Sequence, residues 1–293
     1  MIAVAPPVLL LDAFSLFYRA FFALPPMVTS QGQPTSALYG FSSLLLKLLR
    51  EERPRGAAVA LDAPTATFRH QEFSGYKANR PRAPTSLQRQ LAALPALLQA
   101  FGFPTFTAPG FEADDVLAAL SRVLSAAGEA PLVVSGDLDL LQCVGGAARV
   151  HIVSRGAGAG RTYDEAAVWS RFGVAPAELP DWKALAGDVT DEIPGVPGVG
   201  AQRAAALVRQ FGSVANLLAR LDEVTPEPLR LAIAARREAL TLWRNLAALR
   251  ADSPLPPAPW FAPFDAAARD RVQRAFEALE FKSLLVRLDK IAV

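Results

Sequence analysis

The sequence predicts an α/β fold, a mostly parallel central sheet flanked by helices, followed by a C-terminal helical domain. Three observations carry that prediction. Short apolar runs bounded by turn residues alternate with helical patterns over residues 1–180. The extended pieces are repeatedly followed by a carboxylate. From about residue 181 the alternation gives way to an Ala-rich, Gly-punctuated helical texture. With 293 residues, 52% of them hydrophobic, the chain can bury a substantial core in one domain or two.

The opening, MIAVAPPVLLLDAF, lacks a basic leader region and runs into Asp12, so residues 8–11 read as a first strand and not as a signal peptide. Residues 36–50 have helical periodicity. Lys47 and Arg50 interrupt the longest apolar candidate there, GFSSLLLKLLR, which excludes a membrane span. AAVAL at 57–61 reads as a second strand, ended by Asp62. A helical pattern over 86–101 leads to an extended piece, FPTFT at 103–107, and then to Glu112 and a helix over 113–126. LVVS at 132–135 and RVHIV at 149–153 complete the strands. Alternation of this kind argues for a parallel sheet covered on both faces.

Net charge is only +2, so no global basic field points to nucleic acid. Between 69 and 89, however, Arg69, Lys77, Arg80, Arg82 and Arg89 are opposed only by Glu72. A single cysteine, Cys143, excludes an internal disulfide framework and any multi-cysteine zinc site. A cytosolic protein fits this composition.

The carboxylates raise the chemical question. Asp12, Asp62 and the Asp137–Asp139 pair follow apolar runs, and Glu112, Asp114 and Asp115 crowd the stretch GFEADDVLAAL. Helix capping and the macrodipole, about 0.3–1 kcal/mol each, account for one or two of that last trio. They do not account for convergence from four remote segments. In parallel sheets, ligands bind beyond the carboxyl ends of the strands. Hard divalent cations explain a gathering of carboxylates there, and the cluster is dense enough for two ions.

Beyond 181, Gly198-Val199-Gly200 opens a helix after DEIPGVPGVG, a device that lets backbone N–H groups approach a phosphate closely. Taken with the FGS that follows, it reads as a helix-hairpin-helix at about 182–212, gripping a DNA backbone without reading bases. A proline-rich link at 253–264 and a last helical segment at 266–288 close the chain.

Seven stretches, in order, resemble the 5′ nucleases, meaning the 5′→3′ exonuclease domain of bacterial DNA polymerase I and its flap-endonuclease and bacteriophage relatives. They are LLLDAFSLFYRAFFALP, TSALYGFSSLLLKLL, ALDAPTATFRHQEFSGYKANRP, PGFEADDVLAAL, VVSGDLDLLQCV, ALAGDVTDEIPGVPGVG and ALEFKSLL. The resemblance implies a PIN-like nuclease core over 1–180, with a helical arch at about 68–95, and a DNA-binding domain of the H3TH type over 181–293. It implies metal-dependent hydrolysis of DNA phosphodiesters at 5′ ends, flaps and nicks. Asp12, Asp62, Glu112 and Asp114 would surround a first Mg²⁺ or Mn²⁺. Asp137, Asp139 and Asp191 would hold a second, with Asp115 and Asp188 in support. Lys77 and Arg80 would act on the scissile phosphate, and Tyr76 would stack on a base. Arg19, Gly195, Gly198, Gly200 and Arg203 would contact DNA, and a monovalent cation (K⁺) would sit at the hairpin.

Two departures from the family pattern stand out. DEIPG replaces the common DNIPG, placing Glu192 beside the second metal group, and Ala201-Gln202-Arg203 replaces Glu-Lys-Thr. The implied partners are flapped, nicked or gapped DNA and a DNA polymerase or ligase; the implied setting is a monomer in the cytoplasm, at the nucleoid, with no membrane. Rival readings are a catalytically silent DNA-binding scaffold of the same fold, and a ribonuclease of the acidic-cluster nuclease group.

Overall fold

The computed structural model describes residues 6–78, 82–154 and 160–292. The sheet comprises β1 (Val8–Asp12), β2 (Gly56–Ala60), β3 (Thr105–Phe106), β4 (Pro131–Ser135), β5 (Arg149–Ile152) and β6 (Arg161–Tyr163). Their order is β3-β2-β1-β4-β5-β6. All neighbouring pairs are parallel except β5 and β6. The antiparallel edge strand β6 has no sequence signal, because Arg-Thr-Tyr is too short and polar to show a pattern. β1, β2 and β4 are buried along their whole length, which is why they read as unbroken apolar runs.

Successive residues of each central strand enter different cores. Val8, Leu10, Ala58, Ala60 and Val133 face one; Leu9, Leu11, Ala57, Val59, Leu132 and Val134 face the other. On the second face lie α1 (Ala13–Ala23), α2 (Ser36–Glu52) and α4 (Thr85–Phe101). The short helix α3 (Phe68–Glu72) stands at the rim, and α5 (Ala113–Ala126) covers the first face.

Helix α1 was not foreseen because it starts without a break. Asp12 ends β1 and also caps α1, its Oδ1 accepting from Ser15 N at 3.1 Å. The sequence offers no Gly or Pro between strand and helix, so the periodicity changes unannounced.

After α6 (Glu165–Phe172), the first face also receives α7 (Leu179–Ala186), α8 (Ala201–Phe211), α9 (Val214–Ala219), α10 (Glu227–Ala234) and α11 (Arg237–Ala247). The proline-rich link then passes the sheet edge. Ala57 and Ala262 exchange backbone hydrogen bonds of 2.9 and 3.1 Å. A Cβ on Gly56 would lie 2.5 Å from the Ala262 carbonyl oxygen, so only glycine admits this crossing. The expected last helix is two, α12 (Ala266–Ala278) and α13 (Lys282–Leu288), broken where Glu280 adopts φ 59°. Both pack on the second face, with Phe276 and Phe281 against the N-terminal helices. No helix among the described residues is long and apolar enough to cross a membrane.

Candidate active site

The topology positions the site. Chain crossovers run outward in opposite directions from the β1–β4 pair, and the crevice beyond the carboxyl ends of those strands is where such sheets bind ligands. Asp12 stands at the end of β1, and Ser135 ends β4 next to it. Ser135 Oγ donates to Asp12 Oδ2 at 2.6 Å and accepts from Asp137 N at 2.9 Å. Asp62, just past β2, accepts from Ala113 N at 2.8 Å. Three strand ends and one helix start thus converge.

Two clefts result. Asp12, Asp62, Glu112, Asp114 and Asp137 line the first, of about 930 Å³, with Lys77. The second, of about 780 Å³, is lined by Asp137, Asp139, Asp188 and Asp191. Ser15, Arg19 and Asp137 border both. In the second cleft, carboxylate oxygens of Asp139, Asp188 and Asp191 all lie within 4.8 Å of one another. Asp188, expected only in support, therefore stands inside the group, while Asp137 occupies the wall between the clefts.

Electrostatics differ between the two. Burial pushes Asp12 up to about 7, and neighbouring Asp62 and Asp137 push in the same direction against the Ser135 and Ser15 hydrogen bonds. Burial and the Glu112 charge likewise hold Asp114 well above the usual carboxylate range. Burial raises Asp191 as well, opposed by Lys77 and Lys183. Asp188 lies below the usual range. Burial would raise it, but the Lys183 charge and hydrogen bond, with the Thr190 and Asp191 N–H groups, more than offset that.

Two lysines serve as internal cations. Lys77, with left-handed φ 53°, donates to both Glu112 oxygens at 3.0 and 2.9 Å and lies 3.9 Å from Asp191. Lys183 donates to Asp139 and Asp188. Lys183 escaped sequence reasoning; its only signal was its place in the ALAGD-containing helix, five residues before Asp188.

Two expectations need correction. Asp115, expected near the metals, is fully buried, and four donors use its oxygens: Arg69 Nη1 and Nη2 at 2.7 and 2.8 Å, Glu112 N at 3.0 Å and Arg250 N at 2.8 Å. It holds Arg69 and caps α5 instead of facing a cleft. Tyr76, expected to stack on a base, is only 3% exposed, and its hydroxyl donates to Glu112 Oε2 at 3.0 Å. His70 meets its ring edge-on and Lys77 Nζ lies 4.7 Å from its centroid, so no open face remains. Gly195 and Gly198 are left-handed turn residues, φ 68° and 79°, and Gly200 is the extended N-cap at which α8 opens.

Arg69, read from sequence only as one of several basic residues, is 1% exposed. Beyond Asp115 it reaches Glu112 at 3.3 Å and the Leu246 and Ala248 carbonyls at 2.8 and 2.9 Å. It ties the rim helix to the end of α11. Glu192 at φ 59° accepts from Ala78 N at 3.0 Å, linking the hairpin loop to the basic segment. Arg19 donates to the Gly136 carbonyl, and Arg203 donates to the Gly198 carbonyl at 2.6 Å. Arg80 lies outside the described residues.

Every carboxylate facing the clefts offers hard oxygen donors, and burial raises Asp12 and Asp114, so a cation beside them would stabilise their ionised forms. That donor set fits divalent cations.

Comparison with known proteins gives a consistent result. Residues 7–173 match the 5′-3′ exonuclease, N-terminal resolvase-like domain, and residues 174–268 match the 5′-3′ exonuclease, C-terminal SAM fold. A 5′-3′ exonuclease of Aquifex aeolicus is 36% identical over 96% of this chain and 95% of its own length. DNA polymerase I of Bacillus caldotenax is 38% identical over 96% of this chain, which spans only 32% of that protein. Among solved structures, T5 5′-exonuclease with bound zinc superposes with a TM-score of 0.66 at 21% identity, covering 98% of this chain and all of that one. Human GEN1 in complex with Holliday junction DNA gives 0.62 at 15% identity, covering 96% and 71%. Likeness at that distance shows the shared fold.

Proposed function

Because the chain belongs to the 5′-3′ exonuclease family, we propose that it is a structure-specific 5′ nuclease, hydrolysing DNA phosphodiesters at 5′ ends, flaps and nicks. The observation that carries this reading is the convergence of carboxylates from remote segments into two clefts that meet at Asp137, with Lys77 reaching in. Asp12, Asp62, Glu112 and Asp114 would hold one Mg²⁺ or Mn²⁺. Asp139, Asp188 and Asp191 would hold another, with Asp137 between them. Such ions lower the pKa of water and neutralise charge on the reacting phosphodiester.

The chain's own groups do the rest. Ser135 and Ser15 fix the Asp12 carboxylate, and Ala113 N fixes Asp62, so these oxygens keep one arrangement through turnover. Lys77 is placed to move from Glu112 to a phosphate oxygen when substrate and metal arrive, and Arg80 is assigned the same role by its motif. We assign residues 1–180 to the chemistry and 181–293 to sequence-independent grip on duplex DNA. At the hairpin, K⁺ would share the Gly198 carbonyl with Arg203. The product, a nick with a 5′ phosphate, suits a DNA polymerase or ligase as the next partner, for a monomer working at the nucleoid in the cytoplasm.

The test is cleavage of 5′-flap DNA, nicked duplex and single-stranded RNA in Mg²⁺, Mn²⁺ or EDTA. We expect metal-dependent cutting of the DNA substrates and none in EDTA. Lys77→Ala should slow single turnover by about 10²–10³-fold. Metal-independent cutting, preference for RNA, or no cutting by the wild type would overturn the reading.

A further inference from the structure

The second cleft has an opposite wall that the metal chemistry does not use. It is formed by β6, α6 and the start of α7, and presents Arg161, Tyr163, Arg171, Phe172 and Trp182 to the same space as Asp139, Asp188 and Asp191. Tyr163 is 2% exposed. Two guanidiniums stack on its ring, Arg161 at 5.0 Å and Arg171 at 5.7 Å from the centroid. Arg171 also donates to the Tyr163 hydroxyl and lies 5.3 Å from the Phe172 ring. Trp182 packs edge-on against Phe172 at 5.2 Å and donates to the Ala201 carbonyl at 3.0 Å, at the first residue of α8.

Two like charges on one aromatic ring repel each other. Each gains about 0.5–1 kcal/mol from the ring at an exposed site, and a nearby carboxylate would be the usual means of offsetting the repulsion. Among the described residues neither arginine has an ion pair with a carboxylate, although the cleft they line is rich in them. Stacking fixes the planes of both side chains, so an incoming anion need not order them itself. An isolated small anion would not need a cleft acidic at one end and cationic at the other. A polyanion with phosphates at regular intervals does: one phosphate lies over the carboxylate-held cations, and its neighbours lie against the arginines.

We propose that Arg161 and Arg171, mounted on Tyr163, form a phosphate-binding subsite for the DNA backbone. It lies on the far wall of the second carboxylate cleft and continues through Trp182 toward the hairpin at Ala201. The proposal rests on the nuclease reading for the identity of the polyanion. The subsite anchors the strand away from the scissile bond, so it contributes to binding and register and not to the chemical step.

The test is binding of fluorescent 5′-flap DNA to the full chain carrying Asp137→Asn, in Mg²⁺ and over a range of KCl. Adding Arg161→Ala and Arg171→Ala together should weaken binding by at least tenfold. It should also make the salt dependence shallower by roughly two phosphate contacts, about 1.8 in the slope of log K against log salt. A lysine pair at the two positions should keep that slope and recover part of the affinity. Arg161→Ala alone, on the exposed edge strand, gives the smaller change even if Arg171→Ala perturbs Tyr163. Unchanged affinity and slope in a folded double variant would overturn the subsite while leaving cleavage by the wild-type protein intact. Conversely, loss of binding on the arginine changes, where the wild-type protein cuts no DNA, would support the subsite and reject the nuclease reading.

Discussion

The two carboxylate groups of the cleft are built in contrasting ways. The first is assembled at the ends of strands and the start of a helix, and Asp12 and Asp62 are each held by a hydrogen bond from a backbone N–H. Burial holds Asp12 and Asp114 high there, for Asp114 in spite of the Arg69 and Lys77 charges. The second is assembled from a 3₁₀ turn at 138–143 and the loop before the hairpin, and Lys183 clamps it, leaving Asp188 low. A scaffold held by backbone hydrogen bonds, whose ammonium Lys77 is engaged by Glu112, still demands a cation at Asp12. A looser scaffold with its own ammonium has part of that demand already met.

The contrast can be broken by experiment. The largest effect should come from unequal substitutions: Asp12→Asn should lower the cleavage rate by about 10³-fold or more, whereas Asp188→Asn should cost about 10–100-fold, recoverable with excess Mg²⁺. Equal losses in a metal titration would erase the distinction.

The pH dependence of stability without metal comes next. Unfolded, the Asp12 carboxyl ionises near 3.8, and folded near 7. Its contribution is unchanged below the first value, falls as pH climbs between the two, and above the second has cost up to about 4 kcal/mol. Denaturant unfolding in EDTA should show that decline between pH 4 and pH 7, and Asp12→Asn should flatten it.

Lys183→Met should then destabilise the EDTA-treated protein by about 3 kcal/mol, because it strips the second group of a nearby cation. Saturating Mg²⁺ should erase most of that difference. The smallest effect belongs to Glu192→Asn. It removes the tie to Ala78 but relieves a left-handed glutamate, so stability should move by less than about 1 kcal/mol while flap affinity changes more.

The same contrast governs what the sequence disclosed. The first group was legible because strand periodicity and a terminal Asp are local signals, and the parallel topology then brings them together. Asp139 and Asp191 were named, but the place of Asp188 depends on how the hairpin loop folds back, which no spacing encodes. Tyr76 and Arg69 were misjudged for one reason. A sequence gives a charged or amphipathic residue its average exposed setting, and only tertiary packing reveals that Arg69 is enclosed by Asp115, Glu112 and the Leu246 and Ala248 carbonyls. The edge strand β6, which carries half of the proposed phosphate subsite, was invisible for want of apolar residues.

Helices α12 and α13 carry a consequence for biosynthesis. A ribosome delivers them after every other element of this fold, yet Phe276, Phe281 and Leu284 belong to the layer that contains Leu45, Leu94 and Phe101 from far earlier in the polypeptide. Until those late segments emerge, that greasy side of the nascent sheet stays uncovered, making chaperone capture or premature clumping the main hazards of its synthesis.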